Sequence, residues 1–206
     1  MEILSYVLSG ELSHKDSQGN TEVIRNGDVQ RMSAGSGMMH SEFNANATEP
    51  VHFLQIWIQP DKKGIAPRYE ERSFPIEKRK NRLCLIASPG GTEDSLSIEQ
   101  DARVYATVLD AGAEVSLEVA EGRGVWIQAA KGKISVGHGF SQAKGGMECA
   151  GEWLELEAGD GAAVQEERKL VIRAEVAVEG AVAQESGGKA AGAEDAGAEV
   201  LVFDLA

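Results

Sequence analysis

A short glycine-rich run in the first quarter of the chain contains the residue types that bind a transition metal. His40 and Glu42 are separated by one residue, so in an extended strand their side chains project from the same face. A neutral imidazole and a carboxylate are ligands for divalent transition metals. Gly35 and Gly37 precede the pair, and glycine permits the positive φ angles of a tight turn. Two ligands alone hold a metal weakly, so the run predicts part of a metal site, with His40 and Glu42 as two of its ligands.

The other three histidines carry weaker signals. His14 lies just before a polar turn and is expected to face solvent, although a place at the mouth of a cavity is an open alternative. His52 alternates in phase with Leu54 and Ile56, which favours a hydrogen-bonded core histidine. His138 lies between two glycines and is interpreted as a turn residue. None of these three is predicted to be a ligand.

The sequence predicts that the elements that position these residues are short strands. Apolar or alternating runs of about five residues are separated by glycine-containing turns, as at Asn26-Gly27-Asp28, and the chain contains 24 glycines. Strands at this spacing predict an all-β barrel or sandwich. The polar stretch 61–80 is interpreted as a surface linker with a short helical piece.

The chain divides into two halves that weakly repeat each other. A strand end, a glycine turn and a later Gly-Asp turn occur at residues 8–29 and again at residues 130–161. We therefore predict two domains, at residues 1–78 and 79–206. Residues 179–198 consist almost entirely of Ala, Gly and Glu and are predicted to be a low-complexity loop without core residues.

Composition excludes several classes of function. The net charge of −13 argues against direct binding to nucleic acid, which requires basic surface, and against binding to anionic membranes. No apolar run reaches membrane-spanning length. The two cysteines form no disulfide framework and suit a reducing compartment, so the expected location is the cytoplasm.

Several of these segments together resemble a known family. Gly37, His40 and Asn44, following Gly27-Asp28, resemble the second sequence motif of cupins, which are small jelly-roll barrels. Residues 32–42, 54–58 and 67–70 closely resemble the pirin family of bicupins. Residues 125–128 and 201–205 look like its bacterial branch. The resemblance spans nearly the whole chain, and its central motif is specific.

The resemblance implies two tandem cupin barrels with a metal in the first barrel and no metal motif in the second. It implies three histidines and one glutamate as ligands. The metal is expected to be Fe(II), with Ni, Cu or Mn as alternatives. His40 and Glu42 match the family pattern, whereas the other two histidines come from a His-Pro-His segment just before the position of Glu2, which this sequence does not contain. We therefore expect a first barrel that is truncated at its N-terminus, with an incomplete metal site.

Bacterial members of the family resemble quercetin 2,3-dioxygenases, so the leading hypothesis is oxygenase chemistry on a flavonol-like small aromatic substrate. Glu42 would then accept the proton of the substrate hydroxyl as a catalytic base. The alternative, implied by the eukaryotic branch, is a non-catalytic, metal-binding regulatory protein that acts through a protein partner. A sugar-isomerase-like cupin is a third hypothesis, for which no phosphate-binding loop is found in the sequence.

Overall fold

The computed structural model describes residues 1–138, 140–143, 146–149, 151, 153–176 and 197–206. Nearly all regular structure in these residues is β-strand, which confirms the all-β fold class. The elements are β1 Glu2–Ser9, β2 Glu11–Asp16, β3 Thr21–Arg25, β4 Asp28–Ser33, β5 His40–Asn44, β6 His52–Ile58, β7 Arg68–Ser73, α1 Ile76–Arg79, β8 Cys84–Pro89, a 3₁₀ turn Thr92–Asp94, β9 Leu96–Ile98, β10 Ala102–Leu109, β11 Glu114–Glu118, β12 Gly124–Lys131, β13 Lys133–Gly137, β14 Phe140–Ala143, β15 Gly146–Cys149, β16 Trp153–Glu157, β17 Gly161–Val164, β18 Lys169–Ala174 and β19 Ala198–Leu205.

These elements form two compact units. The first contains residues 1–79, 84–105 and 205–206, and the second contains residues 80–83 and 106–204. The predicted boundary between residues 78 and 79 lies next to the point where the first unit is interrupted. Residues 84–105 group with the first unit, where the backbone amide of Ser97 in β9 lies 3.5 Å from the Glu70 carboxylate. The domain limits of 78 and 79 remain a prediction.

The first unit contains two antiparallel sheets, one of which has β1 near its centre, and the parallel pair of β8 and β9. The order in this sheet is β6-β1-β4-β7. Seven of the eight β1 residues are buried, because the strand has neighbours on both sides and both of its faces are covered. The second sheet has the order β3-β2-β5 and places His14 opposite Glu42 and Asp16 opposite His40. Val7, Leu12 and Ile24 join the two sheets in one buried cluster.

The stretch interpreted as a surface linker contains a strand. Residues 68–73 form β7, an edge strand that pairs with β4 along its whole length, whereas the predicted helical piece is the single turn α1. The side chain of Arg31 explains the pairing of such a polar strand, because it donates to Glu70 at 2.7 Å and Glu70 also accepts from Arg72. Charged side chains are a common feature of edge strands. The linker interpretation was wrong for these residues.

The second unit contains the antiparallel sheet β11-β18-β13-β16 and the antiparallel pair β12 and β17, with β19 beside β12. Its core is aliphatic, with Ile127, Ile134, Leu170 and Ile172 all at most 1% exposed. Residues 179–196 of the predicted low-complexity loop lie outside the described residues, and Ala198 already begins β19. The helical residues described here include no segment that is long and apolar enough to cross a membrane.

Candidate metal centre

A tight turn before β5 sets the direction in which the candidate ligands project. Gly35 has a φ of 53° and Gly37 a φ of 139°, as the sequence predicted for this turn. A Cβ on Gly35 would lie 2.3 Å from the Ile65 carbonyl oxygen, so the turn packs directly against the following segment. The chain then enters β5 at His40, where the half-buried residues His40 and Glu42 alternate with the exposed Ser41. The predicted pair therefore lies on one face of a strand.

The Glu42 carboxylate is held by three hydrogen bonds. Its Oε1 atom accepts from Ser5 Oγ at 2.7 Å and from Gln30 Nε2 at 2.9 Å. Its Oε2 atom accepts from Gln55 Nε2 at 2.5 Å. A carboxylate offers about four acceptor positions, so one position on Oε2 is left for another group. Three donors on three different strands fix the orientation of this carboxylate.

Strand register brings these three donors together. Ser5 of β1 pairs with Gln30 of β4 on one side and with Gln55 of β6 on the other. Directly paired residues of antiparallel strands project from the same face with their Cβ atoms about 5 Å apart. The three polar side chains thus form one row across the sheet, and this row meets Glu42 of the opposite sheet.

His14 lies beside the pair and has no exposed surface. Its ring stacks on His40 with a centroid distance of 5.8 Å and on Tyr69 with a distance of 5.0 Å. Its Nδ1 atom lies 3.2 Å from Gln30 Nε2 and 3.9 Å from Glu42 Oε1. Because the Gln30 amide nitrogen can only donate, Nδ1 accepts, and the ring proton is assigned to Nε2. The expectation that His14 faces solvent was wrong, because His14 lies two residues from the core residue Leu12 and therefore shares the inward face of β2.

Asp16 contacts the Nε2 atom of the His14 ring, on the side opposite Gln30. Its Oδ2 atom is 3.4 Å from His14 Nε2 and accepts from Asn20 Nδ2 at 2.7 Å, whereas Oδ1 accepts from the backbone amides of Gln18 and Asn20. Burial acts to raise the pKa of the Asp16 carboxyl, but the hydrogen bonds from Asn20, Gln18 and His14 outweigh it, so the pKa is lowered. The β2–β3 turn therefore connects the candidate centre to a fixed, ionised carboxylate.

Glu71 pairs with Gln30 and extends the polar row onto β7, and Tyr69, two residues away on the same strand, contacts both residues. The Tyr69 hydroxyl is 3.3 Å from Gln30 Oε1 and 3.2 Å from Glu71 Oε2. Burial and then the negative charge of Glu71 raise the pKa of Tyr69. Desolvation, together with the charges of Glu22 and Asp28, raises the pKa of Glu71, against the opposing effect of the Tyr69 hydrogen bond. Tyr69 is therefore a neutral hydroxyl donor at neutral pH.

The structure brings some of the predicted residues together and separates others. His40, Glu42 and His14 converge, but the described part of the chain contains no group of three or more His, Cys, Asp or Glu side chains arranged to hold a metal ion. His52 is exposed, on the face of β6 opposite Gln55, so its interpretation as a core histidine was wrong. His138 follows β13, with Nδ1 at 3.1 Å from Glu167 Oε1 in the second unit. Metal binding by His40 and Glu42, and a role for Glu42 as a base, remain predictions.

Sequence reasoning missed the residues that support Glu42. Ser5 and Gln55 interrupt the mainly apolar runs of β1 and β6, and that is the signal that could have found them. Gln30 lies in β4, which contains several other polar residues and gives no such signal. A polar side chain on the inner face of a strand requires a partner, because burying it without one costs free energy. Their meeting point depends on strand register, which one sequence does not specify.

The donor types of this site fit a divalent transition metal. The imidazole of His40 and the carboxylate of Glu42 project from the same face, and Glu42 keeps one acceptor position while three donors fix its orientation. Iron, nickel, copper and manganese all accept imidazole or carboxylate ligands. The described residues thus supply two ligands of suitable chemistry.

Comparison with known proteins identifies the family. The family model described as Pirin matches residues 1–58, and the model described as quercetinase C-terminal cupin domain matches residues 85–182. A quercetin 2,3-dioxygenase of Escherichia coli K12 is 35% identical over 205 residues, which cover 100% of this chain and 72% of that protein. A putative quercetin 2,3-dioxygenase of Pseudomonas aeruginosa is 41% identical over 149 residues, covering 71% of this chain and 63% of that protein.

Solved structures agree with the sequence matches. The crystal structure of the bacterial pirin YhhW from Escherichia coli in complex with nickel(II) superposes with a TM-score of 0.74 at 35% identity, over 100% of this chain and 72% of that chain. A second crystal structure of YhhW gives a TM-score of 0.76. These matches confirm the bicupin fold. With two family models in sequence order and a 35% identical relative aligned over 100% of this chain, this chain belongs to the pirin family of bicupins.

Proposed function

We propose that this metal-dependent, pirin-like bicupin is an oxygenase of the quercetin 2,3-dioxygenase type that acts on flavonol-like hydroxy-ketones. The observation that carries the proposal is the Glu42 carboxylate, which is held by three donors with one acceptor position left and lies on the same face of β5 as His40. The names of the relatives support the reaction class. A divalent transition metal supplies Lewis-acid polarisation of the hydroxy-ketone oxygens when it is bound.

In this proposal the chain's own residues bind and orient the substrate and move one proton. The free position on Glu42 Oε2 accepts the proton of the substrate hydroxyl. Ser5 and Gln30 keep Oε1 occupied, so the proton goes to Oε2. His40 and Glu42 would hold the metal, and His14 stacks on the His40 ring. Because Glu42 keeps one free acceptor position, that Oε2 position would serve the metal and the substrate proton in turn.

We propose Fe(II) as the metal, with nickel, copper and manganese as alternatives. Imidazole and carboxylate ligands suit all four ions, and the E. coli relative was crystallised with nickel(II). We also propose a cytoplasmic location, supported by the two cysteines of the sequence, which form no disulfide framework and suit a reducing compartment. Elemental analysis of the purified protein tests the metal. A protein that binds zinc, a redox-inert ion, but binds neither iron nor nickel would contradict the proposal.

The test of the proposed reaction is aerobic consumption of quercetin by the protein loaded separately with each of the four metals. We expect loss of flavonol absorbance together with uptake of dioxygen, dependent on metal. The matched control is His138→Ala, which removes a histidine of the second unit that pairs with Glu167 and should leave turnover unchanged.

The second candidate is a non-catalytic regulatory protein that binds a protein partner. Two apolar side chains that flank the pair favour it, because Met39 is 78% exposed and Phe43 52% exposed. Exposed apolar side chains beside a metal site could couple metal binding to partner binding. Metal binding without flavonol turnover by any of the four metals would favour this candidate.

A further inference from the structure

Two adjacent rows of side chains give the candidate centre one polar and one apolar side. The polar row is Gln55, Ser5 and Gln30, which bind Glu42. The neighbouring row lies two residues along each strand and therefore faces the same way. The paired residues in this second row are Trp57, Ile3, Met32 and Tyr69, in that order across β6, β1, β4 and β7.

This second row, called the apolar row below, is buried at its centre and exposed to solvent at the β6 edge. Ile3 and Met32 are at most 5% exposed, and Tyr69 is packed against His14. Trp57, at the edge strand β6, is 63% exposed. An indole with this much exposed surface, next to a buried aliphatic floor, offers a flat face for a planar ring.

Trp57 is also connected to Glu42 through one residue. Its Nε1 atom donates to Gln55 Oε1 at 2.9 Å, and Gln55 Nε2 donates to Glu42 Oε2 at 2.5 Å. The indole can only donate and an ionised carboxylate can only accept, so these two partners fix the orientation of the Gln55 amide. These two hydrogen bonds thereby fix the position of the Trp57 indole relative to the free acceptor position of Glu42.

We propose that Trp57 contacts the substrate and selects for planarity, stacking on the flat ring system of an aromatic hydroxy-ketone while Gln55 positions Glu42 beneath its hydroxyl. This inference deepens the proposed function and rests on it. It assigns planarity selection to Trp57 and assigns hydrogen-bond positioning to Gln55.

The test compares two ligands that differ in planarity. Quercetin is planar, whereas its dihydro analogue carries the same hydroxyl groups on a saturated, puckered ring. Binding of each is measured by calorimetry without dioxygen, for the unmutated chain and for Trp57→Leu and Trp57→Phe. Trp126→Phe is the control, because Trp126 lies in the second unit.

We expect the unmutated chain to prefer quercetin. Trp57→Leu should weaken quercetin binding at least about 5-fold, the smaller loss typical of removing one stacking ring. The same change should alter binding of the dihydro analogue much less, so the preference for planarity falls. Trp57→Phe keeps a flat ring and should retain the preference, as should the control. If Trp57 had only a structural role, Trp57→Leu would weaken the binding of both ligands equally.

Two results would overturn the inference. One is an unmutated chain that does not bind quercetin or does not prefer it over the dihydro analogue. The other is an unchanged preference in Trp57→Leu. If the preference depends on Trp57 but no metal supports turnover, the inference stands and the oxygenase function fails. If flavonol is consumed and Trp57→Leu retains the preference, the function stands and the inference fails.

Discussion

At the scale of single residues, the candidate centre depends on how completely the acceptor positions of Glu42 are filled. Ser5 and Gln30 occupy Oε1, and Gln55 occupies one position of Oε2. Glutamine at position 42 would turn one acceptor atom into a donor. Since Oε1 faces two donors, the new amide nitrogen would face Gln55, whose amide must then rotate and lose its bond from Trp57. Leaving one such group unsatisfied costs about 1–3 kcal/mol.

We therefore expect Glu42→Gln and His40→Ala to fail in different ways. Glu42→Gln should lower flavonol turnover by about 10²–10⁴-fold, the usual effect of losing a general base, and reduce metal content less than it reduces turnover. His40→Ala removes an imidazole ligand, and the variant should lose the metal itself. Elemental analysis together with quercetin consumption measures both quantities. Full activity in Glu42→Gln would show that Glu42 is not a base.

Asp16 provides a prediction of pH dependence. Because its pKa in the folded protein is lowered, its hydrogen bonds stabilise the fold above the unfolded pKa of about 3.9, and this stability is lost as the pH falls through the folded pKa. Asp16→Asn directs an amide donor at His14 and Asn20 and should reduce the free energy of unfolding at pH 7 by about 1–3 kcal/mol.

The deficit of Asp16→Asn should shrink in acid, where the unmutated carboxyl also becomes protonated. Urea unfolding at pH 7 and at the lowest pH where both proteins fold measures the change. Asp61→Asn, at an exposed position, is the control and should show little difference at either pH. A deficit for Asp16→Asn that is constant with pH would contradict the assignment.

At the scale of elements, the turn before β5 sets the direction of the candidate ligands. Gly35 combines a positive φ with backbone atoms of residues 65–67 within 3 Å of where a Cβ would lie. Gly35→Ala should cost more than the roughly 1–2 kcal/mol of a left-handed alanine, because the following segment must also move. Gly19→Ala is the matched control, since Gly19 has a φ of 96° and no heavy atom within 4 Å of the added Cβ.

Thermal unfolding followed by circular dichroism distinguishes the two variants. Gly35→Ala should show the larger fall in melting temperature and a reduced affinity for metal, because β5 carries both candidate ligands. Equal falls would show that the close approach to residues 65–67 does not matter.

Element prediction succeeded where burial and alternation agreed. The apolar runs at β1 and β6 and the Gly-containing turns between strands were readable from residue types alone. β7 was missed because its residues are mostly charged and its pairing depends on Arg31 and on its position at the sheet edge. The predicted pair His40 and Glu42 did lie on one face. The inward position of His14 follows from the face of β2 that it shares with Leu12, a signal outweighed in the prediction by the polar turn that follows.

At the scale of the whole molecule, the two units differ in chemistry. The candidate ligands and their supporting polar row belong to the first unit. In the second unit, His138 pairs with Glu167, and no third ligand-type side chain joins them among the described residues. We expect the metal content of His138→Ala to equal that of the unmutated chain, whereas that of His40→Ala falls. Elemental analysis of the two variants side by side tests this; a fall in both would place a metal in the second unit as well.

We propose that this pirin-family chain uses His40 and Glu42 for metal-dependent oxidation of a flavonol. The most direct measurement is simultaneous recording of quercetin absorbance and dissolved dioxygen for the chain loaded with iron, nickel, copper or manganese. We expect consumption of one dioxygen per quercetin with at least one metal, abolished in His40→Ala and retained in His138→Ala. Consumption by none of the four metals, or equal consumption by His40→Ala, would contradict it.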